Sequence, residues 1–493
     1  MPELPKWANE MKEIFKGGSI SQFVLYGNVN DWVSAPTNSG GTEFLPLKDF
    51  LVKVMFEPFE TVLCYNRGKG IFPLKGGELF YQFLKVFDTF HRTSFSSIPS
   101  ASAQDPAKSL DFGNLLPKEP KRALELLDRF IRNGLYRTRP NADQKAVADP
   151  MRVAGILDYA QYLFPRADPA YMNQDSVEVL IKVLEWASDR IISSAFIATC
   201  LITENLADLN KQIVESSYSA KLRIDLPNGV EVREYVEAVT ATIPDFSSIC
   251  EVDRQGLGQK LEGLSRVDIH DLIQRAVKNN RKITHSYLKT IKKEMIETSA
   301  GGRIEFVESA RNLDDVAGHH EAKTWLRQDA GLIRKGRLKA LPMGYLLNGR
   351  IGTGKTFLVE CFAGEVGIPC VELKNFREKW VGASEGNLEG IFKILHAMGQ
   401  VIVFIDEADQ MAGKRGGGDG DSGLSGRIYG MLAREMSDTR NRGRIFWIFA
   451  TSRPDLLEVD LKRVGRLDVH IPLFSPQTPD GKKELFLALA KKN

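Results

Sequence analysis

Continuous apolar runs, rather than alternating ones, set the pattern of this chain. SQFVLYG (21–27), ETVLCY (60–65), VAGIL (153–157) and SSAFIATCLI (193–202) punctuate the first 300 residues. MGYLL (343–347), VIVFI (401–405) and IFWIFA (445–450) follow residue 304. Short runs without polar interruption are expected of strands buried on both faces, the usual state of a parallel sheet. Between them lie helical segments such as TFLVECFAGEV (356–366) and HSYLKTIKKEMIET (285–298). Strand and helix signals that alternate in this way predict an α/β fold with parallel sheets and flanking helices. The order of signals in the first 300 residues recurs, more faintly, after residue 304. SFSSIPSASAQDPAKS (94–109) and GKRGGGDGDSGLSG (413–426) are predicted loops, and SAGG (299–302) is a predicted boundary.

The chemistry concentrates at NGRIGTGKTF, which begins at Asn348. Gly349, four residues, then Gly354, Lys355 and Thr356 complete a G-x-x-x-x-G-K-[ST] phosphate loop, set between an apolar run and a helical one. Gly349, Arg350, Ile351, Gly352, Thr353, Gly354, Lys355, Thr356 and Phe357 are therefore the expected nucleotide-binding span. Its glycines let backbone N–H groups converge on phosphate oxygens at a helix N-terminus. Lys355 places a point charge on the β- and γ-phosphates, and the Thr356 hydroxyl is an expected Mg²⁺ ligand. VIVFIDEAD (401–409) supplies Asp406 as the second Mg²⁺ partner and Glu407 to polarise an attacking water. ATP and Mg²⁺ are the expected cofactors, and two P-loop NTPase modules are the expected architecture.

IFWIFATSRPDLLEVDLKRVGRLDVHIPL (445–473) resembles the second region of homology of AAA ATPases. LDDVAGHHEAKTWL (313–326) and KWVGASEGNLEGIF (379–392) are similar to further family segments, in the family's order. The C-terminal module resembles the AAA domains of spastin, katanin and FtsH-type ATPases. The resemblance implies ATP hydrolysis, with Ser452 at the sensor position where the family carries asparagine. It implies that Arg463 and Arg466 are arginine fingers acting on a neighbouring subunit's nucleotide, hence a ring, hexameric by resemblance. It places Val316 and Gly318 in the adenine pocket. It makes Trp380 and Val381 a pore loop that grips an extended polypeptide, an aromatic contact suited to any side chain. The family's helical lid is expected only in part.

Laid on the second half, the first half looks like a degenerate copy. Gly27 matches Gly349, but Asn28, Val29 and Asn30 follow and no GKT does. GILDYAQ (155–161) matches IVFIDEA, with Asp158 where Asp406 stands and Tyr159 where Glu407 stands. Asn205 falls near the sensor, and Ser216 and Ser219 near the fingers. GLSRVDI (263–269) resembles the lid pattern of AAA modules. The expected domains are a degenerate AAA-like module at 1–225, its helical lid at 226–300, an active AAA core at 304–475, and the start of an incomplete lid at 476–493.

Composition changes little in this picture. The 493 residues suffice for two or three domains, and 66 Lys+Arg against 63 Asp+Glu give no charge argument for nucleic acid. No apolar stretch reaches the roughly 20 residues that span a bilayer. The five cysteines form no CxxC pair, so reduced thiols and a cytoplasmic location are expected. The leading function is an ATP-driven ring that remodels a protein substrate. The alternative is a slow, ATP-dependent assembly or regulatory switch without threading.

Overall fold

The computed structural model describes residues 4–490 apart from 38–39, 97–115, 141–145, 168–171, 245, 280, 308–309, 375–384 and 412–421. It divides into two compact units, residues 1–225 and 226–493. The second unit thus takes in the segment 226–300.

In the first unit six strands build one sheet: β1 (Gln22–Gly27), β2 (Thr61–Asn66), β3 (Gly70–Lys75), β4 (Val153–Leu157), β5 (Ile197–Thr203) and β6 (Ser219–Ile224). Their spatial order is β6-β1-β5-β4-β2-β3. All neighbours are parallel except the β2–β3 edge pair. β5 is buried at every position, as a strand covered on both faces must be. Phe23, Leu25 and Ile156 fill the core on one side of the sheet, and Val24, Leu63 and Leu157 fill the other.

In the second unit a sheet has strands β7 (Ile304–Phe306), β8 (Gly344–Asn348), β9 (Cys370–Leu373), β10 (Val401–Ile405), β11 (Ile445–Thr451) and β12 (Val469–Pro472). The order is β7-β9-β10-β11-β8-β12, and only the β7–β9 edge is antiparallel. β8 occupies the place of β1, β9 that of β2, β10 that of β4, β11 that of β5, and β12 that of β6. The faint sequence repeat is therefore a repeat of sheet topology: five parallel strands wired alike, each sheet with one antiparallel strand at the same edge. The edge strands differ in origin, since β3 follows its partner in sequence and β7 precedes it.

The segment before β7 is helical: Gly229–Ala241, Phe246–Ile249, Arg254–Lys260, Arg266–Lys278 and His285–Ser299. Ser265 starts the helix Arg266–Lys278 with a capping box to Asp268, which explains the serine and aspartate of GLSRVDI.

Two local readings of the sequence change. A hairpin, Trp32–Pro36 paired with Thr42–Pro46, stands between β1 and the helix after it. The glycine-rich stretch predicted as loop to residue 426 is already helix from Ser422, in Ser422–Met436.

Candidate active site

The phosphate loop of the second unit leaves β8 at Asn348 and enters the helix Lys355–Val366 through Gly354. Gly352 and Gly354 both hold φ +85°, a left-handed backbone that favours glycine. Gly349 is required for a different reason: a Cβ there would lie 2.5 Å from the Leu473 carbonyl oxygen. Thr353 donates its hydroxyl to the Arg350 carbonyl at 2.9 Å, tightening the turn. Lys355 turns its ammonium back to donate to the carbonyls of Gly349 (2.8 Å) and Arg350 (3.2 Å). Ile351 is 90% exposed at the loop's tip. Phe357, on the helix's first turn, faces the Arg311 guanidinium at 5.3 Å from its ring centroid.

β11 lies between β8 and β10, so three strand ends meet here. Thr356 donates its hydroxyl to Asp406 Oδ2 at 2.7 Å. Glu407 follows with φ +47°, and its backbone N–H donates to Asp406 Oδ1 at 2.8 Å. Glu407 is exposed at the mouth of the site. A hydroxyl and a carboxylate side by side at a helix N-terminus, next to backbone N–H groups and an ammonium, are the hard-oxygen and anion-binding groups that a Mg²⁺–triphosphate requires.

Asp409 was not singled out by the sequence pattern. It accepts the Thr451 hydroxyl at 2.5 Å and the Ser452 N–H at 3.4 Å. It thereby ties the end of β11, and with it Ser452, to the acidic strand. Three long-range contacts were also invisible in sequence. His319 Nε2 lies 3.0 Å from the Thr353 carbonyl, which fastens the entry segment to the phosphate loop. Gly318, φ +67°, donates its N–H to Glu484 Oε1 at 2.9 Å, and His320 Nε2 stands 3.3 Å from Glu484 Oε2. That N–H and neighbouring cations hold the Glu484 carboxyl below the usual glutamate range. Val316 is buried in the core beneath them.

The two arginines differ. Arg463 is exposed and pairs only with nearby Asp460 at 3.2 Å among the described residues. Arg466 turns inward, donating to Ser437 Oγ at 2.7 Å and to the Asp460 carbonyl at 2.5 Å. Trp380 and Val381 lie outside the described residues.

The same corner of the first unit has a different chemistry. Pro46 caps the helix Leu47–Phe50, as Gly354 caps Lys355–Val366, so Lys48 holds the second helical position, where Thr356 stands. Lys48 Nζ donates to Asp158 Oδ2 at 2.7 Å. Asp158 is buried, and its pair with Lys48 borders a cavity of about 160 Å³ with Trp32, Asn30, Tyr159 and Glu204. Burial pushes against the Lys48 charge, but Asp158 outweighs it and raises the ammonium above the ordinary lysine value. Register sharpens one reading: Tyr26 pairs with Thr203 as Asn348 pairs with Thr451, so Glu204 matches Ser452. Asn205 instead turns its amide to Asp208 at 3.1 Å. Ser219 lies inside β6, where its hydroxyl accepts the Gln22 amide at 2.8 Å.

Phosphate loop, acidic strand and strand order together define a P-loop NTPase of the AAA+ type. Residues 345–474 match the family model "ATPase family associated with various cellular activities (AAA)". Residues 1–225 match "AAA+ chaperone, N-terminal Rossmann-like domain", and 233–301 match "AAA+ chaperone, second helical domain". The chain belongs to the AAA+ ATPase family. Among its relatives is the Cell division cycle protein 48 homolog of Archaeoglobus fulgidus, 26% identical over 55% of this chain and 40% of that protein. The Peroxisomal ATPase PEX6 of Colletotrichum orbiculare is 27% identical over 64% of this chain and 26% of its own length. The Putative ribosome biogenesis ATPase nvl of Dictyostelium discoideum is 38% identical over 28% of this chain and 16% of its own. The chain spans less than half the length of each of these relatives. Among the described residues no helix is long and apolar enough to cross a membrane.

Proposed function

We propose that the chain is an ATP-hydrolysing ring protein that remodels a protein substrate, with hydrolysis confined to the second module. The observation that carries this reading is the Thr356–Asp406 pair at 2.7 Å, set below the left-handed Gly354 and beside Glu407. Lys355 leaves the carbonyls of Gly349 and Arg350 to meet the β- and γ-phosphates. Thr356 and Asp406 would hold Mg²⁺, which neutralises charge on the phosphate oxygens. Glu407 orients the attacking water and takes up its proton. Asp409 holds Ser452, through its N–H, at the sensor position. Arg463, exposed and carried on a surface turn, reaches the nucleotide of a neighbouring subunit, and Arg466 braces that turn from within. Trp380 and Val381 line the pore of a hexamer and grip the substrate. The residue ranges 1–225, 226–300, 304–475 and 476–493 serve as degenerate module, its lid, active core and the start of a second lid.

The first module is a scaffold or recruiter. Its Lys48–Asp158 pair supports this, because an ammonium already stands where the metal side of the active site would be. The proposed substrate is protein rather than nucleic acid, because 66 Lys+Arg against 63 Asp+Glu supply no basic footprint, and the proposed location is the cytoplasm. Ser452 in place of asparagine favours a second reading, a slow ATP-dependent assembly switch. Trp380→Ala separates the two. Threading requires that it keep ATP turnover and lose substrate remodelling; unchanged remodelling would sink the threading reading and leave the switch.

A further inference from the structure

Away from the nucleotide, the second unit carries a half-open cavity of about 460 Å³. Leu288, from the helix His285–Ser299, and Phe306, Val307, Ile368, Pro369 and Met398 give it apolar walls. Three lysines, Lys260, Lys292 and Lys293, also line it, and no described carboxylate does.

Lys292 is the unusual member. Burial pulls its ammonium down to about 8; Glu262 opposes this and Lys260 adds to it. No hydrogen bond holds that ammonium among the described residues. Glu262 is shared with Arg233, which lies 3.5 Å from it. Lysines near the carboxy end of a helix can complement its dipole, but an exposed side chain does that without desolvation. A cation drawn into a cavity without a matched counter-ion costs free energy that an anionic occupant would return. The volume falls within the usual range of small-molecule sites, and apolar walls with a few convergent polar groups are their usual lining.

We propose that this cavity binds an organic anion with an apolar body, with the Lys292 ammonium as its counter-charge and Lys260 and Lys293 flanking the head. The walls carry the body and the lysines fix the orientation. Ala363 and Gly364 also line the cavity, and they end the helix that Lys355 and Thr356 begin. An occupant would therefore press on the far end of the phosphate-loop helix.

The test is calorimetric titration of the full chain, without nucleotide, using sodium decanoate, decyl phosphate, decanol and inorganic phosphate. Its outcome does not depend on ATP hydrolysis. Decanoate or decyl phosphate should bind at one site, and the tighter of the two identifies the head group. Decanol and inorganic phosphate should each bind at least tenfold more weakly. Lys292→Met should weaken the anion at least tenfold and raise the melting temperature of the free protein. Lys292→Arg should retain binding. Ile368→Trp, which fills the cavity and leaves all three lysines, should lose it. Equal affinity for decanol and decanoate, several weak sites, no binding at all, or a Lys292→Met protein that binds as before would each overturn the proposal.

Discussion

Tyr159 and Glu407 hold the same strained backbone at matching places in the two sheets. Their φ angles are +56° and +47°, each follows an aspartate at the end of a parallel strand, and each donates its N–H to that aspartate's Oδ1. Left-handed backbone is uncommon for residues other than glycine, and for a bulky tyrosine it needs a compensating reason. The shared turn aims the following side chain out of the strand end. In one module the turn presents a carboxylate and in the other a phenol. Glu407→Gln should therefore keep ATP binding and lower turnover by roughly 10²–10⁴-fold, the span of general-base contributions. Tyr159→Glu added to that variant should restore nothing, because the first module lacks the phosphate loop. Nucleotide binding and phosphate release measured on the same preparations check both statements.

Lys48 and Asp158 make the complementary case. The carboxylate is buried and the ammonium partly exposed, so removing the lysine leaves an unpaired buried acceptor. Lys48→Met should destabilise the first module by roughly 1–3 kcal/mol, and Lys48→Met with Asp158→Asn should recover much of it. Because Asp158 raises the Lys48 value above the ordinary 10.5, the pair's contribution is full at lower pH and is lost only as pH rises beyond that value. Thermal melts at neutral and strongly alkaline pH give the sign. Magnesium–ATP should not shift the transition of the first module in either protein.

What the sequence revealed and what it hid divide along physical lines. β5, β10 and β11 were legible because strands buried on both faces are written as unbroken apolar runs. The phosphate loop was legible because its groups are contiguous. Lys48 was not, since a hairpin separates it from Gly27 and only the fold carries it to Asp158. Asp409 was hidden inside a string of acids whose first two members already had roles. Glu484 reaches Gly318 across 166 positions, a contact no local pattern encodes. The Glu204 match required the pairing register between β1 and β5, where a slip of one residue exchanges neighbours.

Asp409 gives a prediction of its own. Thr451 is fully buried, and its hydroxyl donates to Asp409. Asp409→Ala leaves that hydroxyl without its acceptor and frees the end of β11, at a cost of about 1–3 kcal/mol. Turnover should fall about tenfold or more with ATP affinity little changed. Asp409→Asn keeps an acceptor oxygen and should retain most activity. Parallel measurement of kcat and KM for ATP distinguishes a displaced sensor from a damaged nucleotide pocket.

Arg463 and Arg466 should separate under substitution. Arg466 is held by Ser437 and the Asp460 carbonyl, so Arg466→Ala should lower both stability and turnover. Arg463 is exposed on the same turn, and Arg463→Ala should leave the melting temperature unchanged. Its turnover should fall by about 10³–10⁵-fold, the range of arginine fingers supplied by another chain. Wild-type turnover per subunit should rise with protein concentration as rings form. A flat dependence would show that each subunit works alone and that neither arginine acts across an interface.

Glu484 and Gly318 link the last described helix, Pro479–Ala490, to the entry segment expected at the adenine. Glu484→Ala removes the acceptor of the Gly318 N–H and the partner of His320, so KM for ATP should rise several-fold with kcat nearly constant. Glu484→Gln preserves an acceptor oxygen and should behave closer to wild type. The carboxyl sits below its ordinary 4.5, chiefly through the Gly318 hydrogen bond. A depressed acid contributes fully above its unfolded value and is lost as pH falls through the folded one. The gap between wild type and Glu484→Ala should therefore stay level from about pH 6 to 8 and close only under acid conditions. Fluorescent-nucleotide titrations across that range test the sign. A gap that opened as pH rose through neutrality would place the effect on another group.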